Sequence, residues 1–187
     1  MWKRYLIIAA CTTVASIGLF NSPPSVWGLP QQEIARTARP RFDNYPASPV
    51  FTGQPAPLDT SNPEVQNYEA ELQEGMQKGI TFAGHYVIVN GLNRAMGGVG
   101  TAVIVDLQTG QPYFPEPLSG YHDQRGAGYN PPRPDGGLHY HPNSKLLILV
   151  GRAGGNDGNN GIGRYYYKWS NNQLQLLTFI PSPYNPQ

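Results

Sequence analysis

Four histidines, His85, His122, His139 and His141, carry the most chemistry in this chain. His139 and His141 stand two apart in a stretch that reads as a short strand, Leu138 to His141. Their side chains then project to one side, while Leu138 and Tyr140 face the other. Two imidazoles on one strand face can begin a zinc or copper site. His85, or His122 with Asp123 in a long loop, could supply further ligands. The plainer reading is a pair of surface histidines on an open face, and the spacing alone favours it. A metal-binding protein or hydrolase using the histidine cluster therefore stands as the alternative function, and no cofactor is expected.

Other chemistry is thinly supplied. Hydrolysis needs a nucleophile beside a base, or two positioned carboxylates. After Glu74 the acidic residues are Asp106, Glu116, Asp123, Asp135 and Asp157, and all fall in predicted turns or loops. Ser119, His122 and Asp123 are too local to form a triad, and no Gly-x-Ser-x-Gly elbow occurs. Gly154-Gly155-Asn156-Asp157-Gly158-Asn159-Asn160-Gly161 has the composition of a calcium loop. It lacks the ordered acidic spacing and the distal glutamate, so a flexible strand connection is expected. Gly97-Gly98-Val99-Gly100 precedes a strand, and so offers no helix N-terminus to a phosphate.

The elements that must position these residues are mostly strands. One helix is predicted: Ser61 caps it, Glu64 completes a capping box, Val65, Tyr68, Leu72 and Met76 form its apolar face, and Gly79 ends it. Glu64, Glu69, Glu71 and Glu74 lie elsewhere around it as a solvated face. Strands are predicted over Phe82 to Val89, Thr101 to Leu107, Leu138 to His141 and Leu146 to Val150. A hairpin of Arg164 to Trp169 and Leu174 to Ile180 closes across Ser170-Asn171-Asn172-Gln173, with Tyr165, Tyr167 and Trp169 sharing a core face. Asp106-Leu107-Gln108-Thr109-Gly110 and Pro142-Asn143-Ser144-Lys145 read as turns. Residues 115–137 form a long proline- and glycine-rich loop, the kind that is usually functional. The expected fold is mainly β: an antiparallel meander, as a small sandwich or a curled sheet, with one N-terminal amphipathic helix. Two stretches have the look of propeller-blade fragments, but the chain is too short for four blades.

Composition agrees with that class. Glycine (22), proline (19) and tyrosine (12) are plentiful, which favours turns and strands. Only 13% of residues are charged and the formal net charge is +1, so nothing argues for a nucleic-acid partner. Met1 to Arg4 is a basic start, Tyr5 to Phe20 an apolar run, and Pro23-Pro24 breaks it. The run falls short of the roughly twenty residues of a spanning helix. It reads as a signal peptide over 1–28, cleaved after Gly28. Cleavage would remove Cys11, the only cysteine, and with it all thiol chemistry. Retention instead would make the protein a membrane-tethered accessory subunit. Residues 29–62, rich in proline and carrying Arg36, Arg39 and Arg41, read as an extended linker or strap, and 63–187 as a single β-rich domain.

Phe82-Ala83-Gly84-His85-Tyr86, Asp106 to Gly110, Ser144 to Ile148 and Tyr166-Tyr167-Lys168-Trp169 together resemble a family of small secreted bacterial proteins of unknown function. The resemblance spans residues 80–178 and treats the first motif as part of a strand. Members of that family carry a cysteine pair soon after this motif, where this chain has Leu92 and Met96. The resemblance implies a secreted protein and assigns no catalytic residue.

The function expected from these readings is a non-enzymatic, exported β-rich domain, periplasmic or extracellular, with a binding or structural role in the cell envelope. Its partner would be a protein or small ligand outside the cytoplasm, and a membrane only if the N-terminal segment stays attached. Tyr121, Arg125, Tyr129 and Tyr140 are the expected contact residues, because tyrosine and arginine combine large area with polar ends.

Overall fold

Two apolar runs explain the middle of the molecule. Val87-Ile88-Val89 and Ala102-Val103-Ile104-Val105 show no polar alternation, which is the pattern of strands buried on both faces. The computed structural model, which describes residues 39–93, 98–123 and 135–183, bears this out. Strands β1 (Tyr86–Leu92) and β2 (Val99–Asp106) pair antiparallel, and β2 also pairs with β3 (Pro112–Tyr113) and β4 (Tyr121–His122). On one face of this sheet, Val87, Val89, Val103 and Val105 pack with Val65, Leu72 and Met76. On the other, Tyr86, Ile88, Ala102 and Ile104 pack with Leu147, Leu149, Tyr165, Tyr167 and Trp169.

Those last residues belong to a second antiparallel sheet. It runs in chain order through β5 (Gly137–His139), β6 (Leu146–Gly151), β7 (Gly163–Ser170) and β8 (Gln173–Pro181). The described residues from 40 onward are thus mainly β, with two four-stranded sheets sharing one core cluster. Burying a core Leu or Ile side chain of this kind contributes about 1.5–3 kcal/mol. The outer strand β8 leaves Leu176 and Leu177 exposed. At one corner His122 and Arg152 exchange both backbone hydrogen bonds, at 2.8 and 2.9 Å, tying β4 to the end of β6. Only glycine fits beside that corner: Gly151 has φ +151°, and a Cβ there would lie 1.9 Å from the His122 carbonyl oxygen.

The helical segment differs from the predicted single helix. Asn62, not Ser61, is the cap: its side chain accepts from the Glu64 N–H at 2.9 Å, while the Ser61 N–H donates to Asp59 Oδ1. The helix then breaks at Asn67 and Tyr68 into α1 (Pro63–Gln66) and α2 (Glu69–Met76). The predicted face survives the break, because Val65, Leu72 and Met76 are all buried against β1 and β2.

Two strand predictions also shift. Phe82 to His85 is a tight turn, closed by reciprocal backbone hydrogen bonds between Phe82 and Tyr86 and holding Ala83 at φ +47°. The strand starts only at Tyr86. Likewise β5 stops at His139, because Pro142 and the turn after it leave no ladder for His141.

Residues 40–62 run along the domain and bond to three of its turns. Ala47 N–H donates to Asn143 O, and Lys145 N–H to Tyr45 O. Phe51 N–H donates to Gly84 O, Ala56 N–H to Leu107 O, and Asp59 N–H to Gly110 O. The buried Ser144 hydroxyl sits 2.8 Å from the Phe42 carbonyl oxygen. Residues 1–28, read from the sequence as a signal peptide, together with Arg36, Arg125 and Tyr129, lie outside the described residues.

Candidate functional site

The hairpin between β7 and β8 turns on two residues, Asn171 and Asn172, both with positive φ (+52° and +58°). That is the type I′ geometry whose twist matches paired strands, and asparagine tolerates it. The Tyr86 hydroxyl donates to Asn172 Oδ1 at 3.1 Å and fixes the turn against the first sheet. Asn172 then stands between two clefts.

The larger cleft has a volume of about 510 Å³. Tyr113, Phe114 and Leu174 give it apolar walls, and Glu116, Asn156 and Asp157 add polar groups. The polar groups are held in place. Glu116 Oε1 accepts from the Asn156 N–H at 3.0 Å, and the Tyr167 hydroxyl donates to Asp157 Oδ2 at 3.0 Å. Tyr167 is fully buried, and burial above all, then the Asp157 charge, drives its phenol pKa far up, so it stays a donor. The Tyr165 hydroxyl bonds to the Gly161 carbonyl. These contacts make residues 156–160 a 3-10 turn rather than the flexible connection that composition predicts. Asp157, the one carboxylate of that segment, is already bonded to Tyr167.

The smaller cleft, about 170 Å³, is lined by Ser48, His85, Tyr86, Lys145, Trp169 and the turn residues. His85 Nδ1 lies 2.8 Å from Asp106 Oδ1. A carboxylate only accepts, so Nδ1 carries the proton and Nε2 is the ring's remaining nitrogen. Asp106 Oδ1 also accepts from the Gln108 N–H at 2.8 Å, within the turn that follows β2. The His85 ring lies against Tyr86, with centroids 4.1 Å apart, and Tyr86 and Tyr113 both meet Trp169 edge-on. Burial raises the pKa of both tyrosines. The Trp169 indole N–H, near enough to Tyr86 to pull that phenol's pKa slightly back down, makes no contact of hydrogen-bond geometry.

The chain matches no known protein family, no curated protein and no solved structure. Residue roles here come from geometry alone.

The predicted histidines each have a separate structural post. His139 Nε2–H donates to the Asp135 carbonyl at 2.8 Å, while His141 Nδ1 accepts from the Asn143 N–H at 3.1 Å in the turn after β5. They therefore do not share a strand face. His122 sits in the corner with Arg152, where burial lowers its pKa against the opposing pull of Asp123. Among the described residues, no three His, Cys, Asp or Glu side chains are grouped to hold a metal ion. Tyr121 corrects the expected contact surface: it is 2% exposed, because β4 turns it into the core between the sheets. Tyr140 is half-buried and packs edge-on against Phe82. Sequence reasoning missed Lys145, Trp169 and Asn172 as site residues. The only available signal was the turn chemistry at Asn171-Asn172, which marks a hairpin and says nothing of the clefts beside it.

Proposed function

We propose that the protein is an exported, non-enzymatic binding module of the cell envelope, built as a small sandwich with a helix outside it. It holds a small polar ligand in the larger cleft beside Asn172. The observation that carries this reading is the cleft itself: its volume falls within the range of ligand sites, and it combines aromatic walls with a few polar groups fixed by hydrogen bonds. The test is a thermal-shift screen of the full chain with mono- and disaccharides and amino acids. A ligand at about 100 times its Kd raises stability by about 2.7 kcal/mol. The Asn172→Gly variant keeps the turn conformation but removes the amide that accepts from Tyr86, so it should melt lower than wild type and show a smaller ligand-induced shift from its own baseline. No shift with any solute, or an undiminished one in Asn172→Gly, refutes the reading.

The His85–Asp106 pair favours one alternative, a hydrolase. A histidine oriented by a carboxylate is a usable general base. Turnover of chromogenic esters or glycosides that is lost in His85→Ala would replace the binding reading.

A further inference from the structure

We propose that the free edge of β8 pairs with the same edge of a second copy of this chain, antiparallel and about a twofold axis at Leu177. β8 ends the second sheet: β7 pairs with one side of it, and among the described residues no strand pairs with the other. An outer edge of nine residues is a row of backbone donors and acceptors open to another strand.

Edges that stay single are guarded by charge, proline or bulges. β8 has no charged residue, and its proline, Pro181, comes last. Its one bulge is Leu177, the residue left over where Tyr166 meets Thr178 and Tyr167 meets Leu176. That bulge carries a leucine, not a lysine. Leu176 and Leu177 are each 39% exposed and, with Val50, are the exposed large apolar side chains among the described residues.

Position selects the partner. Leu177 is the middle residue of the strand Gln173–Pro181. A twofold axis there lays Leu176 and Leu177 of one copy against the same leucines of the other, and sets no like charges opposite. The other sheet edges offer no rival. β3 and β4 have two residues each, and β5 has three. β1 is longer, but Thr81 already bonds to its backbone: the Thr81 N–H donates to Tyr86 O, and the Ile88 N–H to Thr81 Oγ1, both at 3.0 Å. The contact therefore closes as a dimer instead of continuing as a fibre.

The full chain is measured by sedimentation equilibrium from about 1 µM to about 1 mM, because one strand pair is a small interface and makes a weak dimer. The mass should rise toward that of a dimer with concentration, and Leu177→Lys should raise the dissociation constant at least about tenfold. Leu177 is exposed and outside both core clusters, so the variant should fold. In a Cys11→Ser background, Leu177→Cys should form a disulfide-linked dimer on mild oxidation. Gln173→Cys should not, because antiparallel pairing about Leu177 leaves the two copies of Gln173 roughly 26 Å apart. A monomer across the range, which leaves the edge to solvent or to another protein's strand, overturns the proposal. So does a dimer that Leu177→Lys leaves intact. Crosslinking of Gln173→Cys as fast as Leu177→Cys overturns the twofold arrangement.

Discussion

Replacing Tyr167 by Phe removes one oxygen from the interior, the one that joins the second sheet to the wall of the larger cleft. Tyr167 is fully buried, and its hydroxyl donates to Asp157 Oδ2 at 3.0 Å. A hydrogen bond to a charged group contributes about 1.5–3 kcal/mol. Asp157 is half-exposed, so water recovers part of that loss once the hydroxyl is gone. The ring stays in place, stacked parallel to Tyr165 at 6.1 Å, so no large cavity opens. The expected loss is therefore about 1–2 kcal/mol, at and just below the low end of the charged range. At about 2–4 °C per kcal/mol for a domain of this size, the melting temperature should drop by several degrees. Urea titration gives the free energy directly, and an unchanged slope would show that the unfolded state is not the cause. A double-mutant cycle with Asp157→Asn isolates the pair. If Tyr167→Phe is as stable as wild type, or the cycle shows no coupling, Asp157 is not held by this bond, and the account of the ordered 156–160 turn fails.

Leu72 joins α2 to β1 and β2 and is fully buried, so Leu72→Ala should cost about 2–5 kcal/mol in urea titration. Gly110 has φ +78°, and a Cβ there would lie 1.8 Å from the Pro57 carbonyl oxygen. Gly110→Ala should therefore lose more than the about 1–2 kcal/mol of a left-handed residue, and limited proteolysis should cut residues 56–60 faster than in wild type. His122 has a pKa lowered by burial, so the unfolded chain takes up its proton first, near the usual histidine value of about 6.5. The stability from keeping it neutral is full above that value and falls as pH drops through the lower folded pKa. His122→Gln should flatten that part of the pH–stability curve.

The strands were legible where burial leaves a pattern. The unbroken run of Ala102 to Val105 announces a strand covered on both faces, and Tyr165, Tyr167 and Trp169 alternate toward the core as their spacing predicts. The turns were legible where backbone chemistry is local, as at Gly110 with its positive φ. What the sequence hid depends on partners far along the chain. At Phe82 the one local turn signal is Gly84, with φ +89°; the bonds from Phe51 and to His141 and Pro142 that also hold this turn come from distant parts of the chain. Ser61 looks as good a cap as Asn62; the helix opens at Pro63, so Asn62 holds the cap position and its side chain takes the Glu64 N–H, while the Ser61 N–H goes to Asp59. Tyr121 looked like a surface tyrosine in a loop, and only its pairing with Gly100 in β2 explains its burial. The site residues Lys145, Trp169 and Asn172 stand on separate turns and strand ends, and no spacing rule connects them to His85.

The chain segment between Phe42 and Asp59 resolves how such scattered residues become one site. It bonds to the turn carrying Lys145 through Tyr45 O, and to the turn carrying His85 through the Phe51 N–H. The Ala56 N–H meets the Leu107 carbonyl, while the Leu107 N–H holds the His85 carbonyl. Ser48 on the segment itself completes the smaller cleft. Proline suits this role, because it stiffens an extended chain and leaves the intervening N–H groups to bond outward. A cleft whose walls are tied by backbone bonds loses little freedom when it is occupied, and that lowers the cost of binding. In the sequence the segment has no periodicity and reads as a linker or a strap; in the structure its backbone bonds to the turns that carry Lys145 and His85.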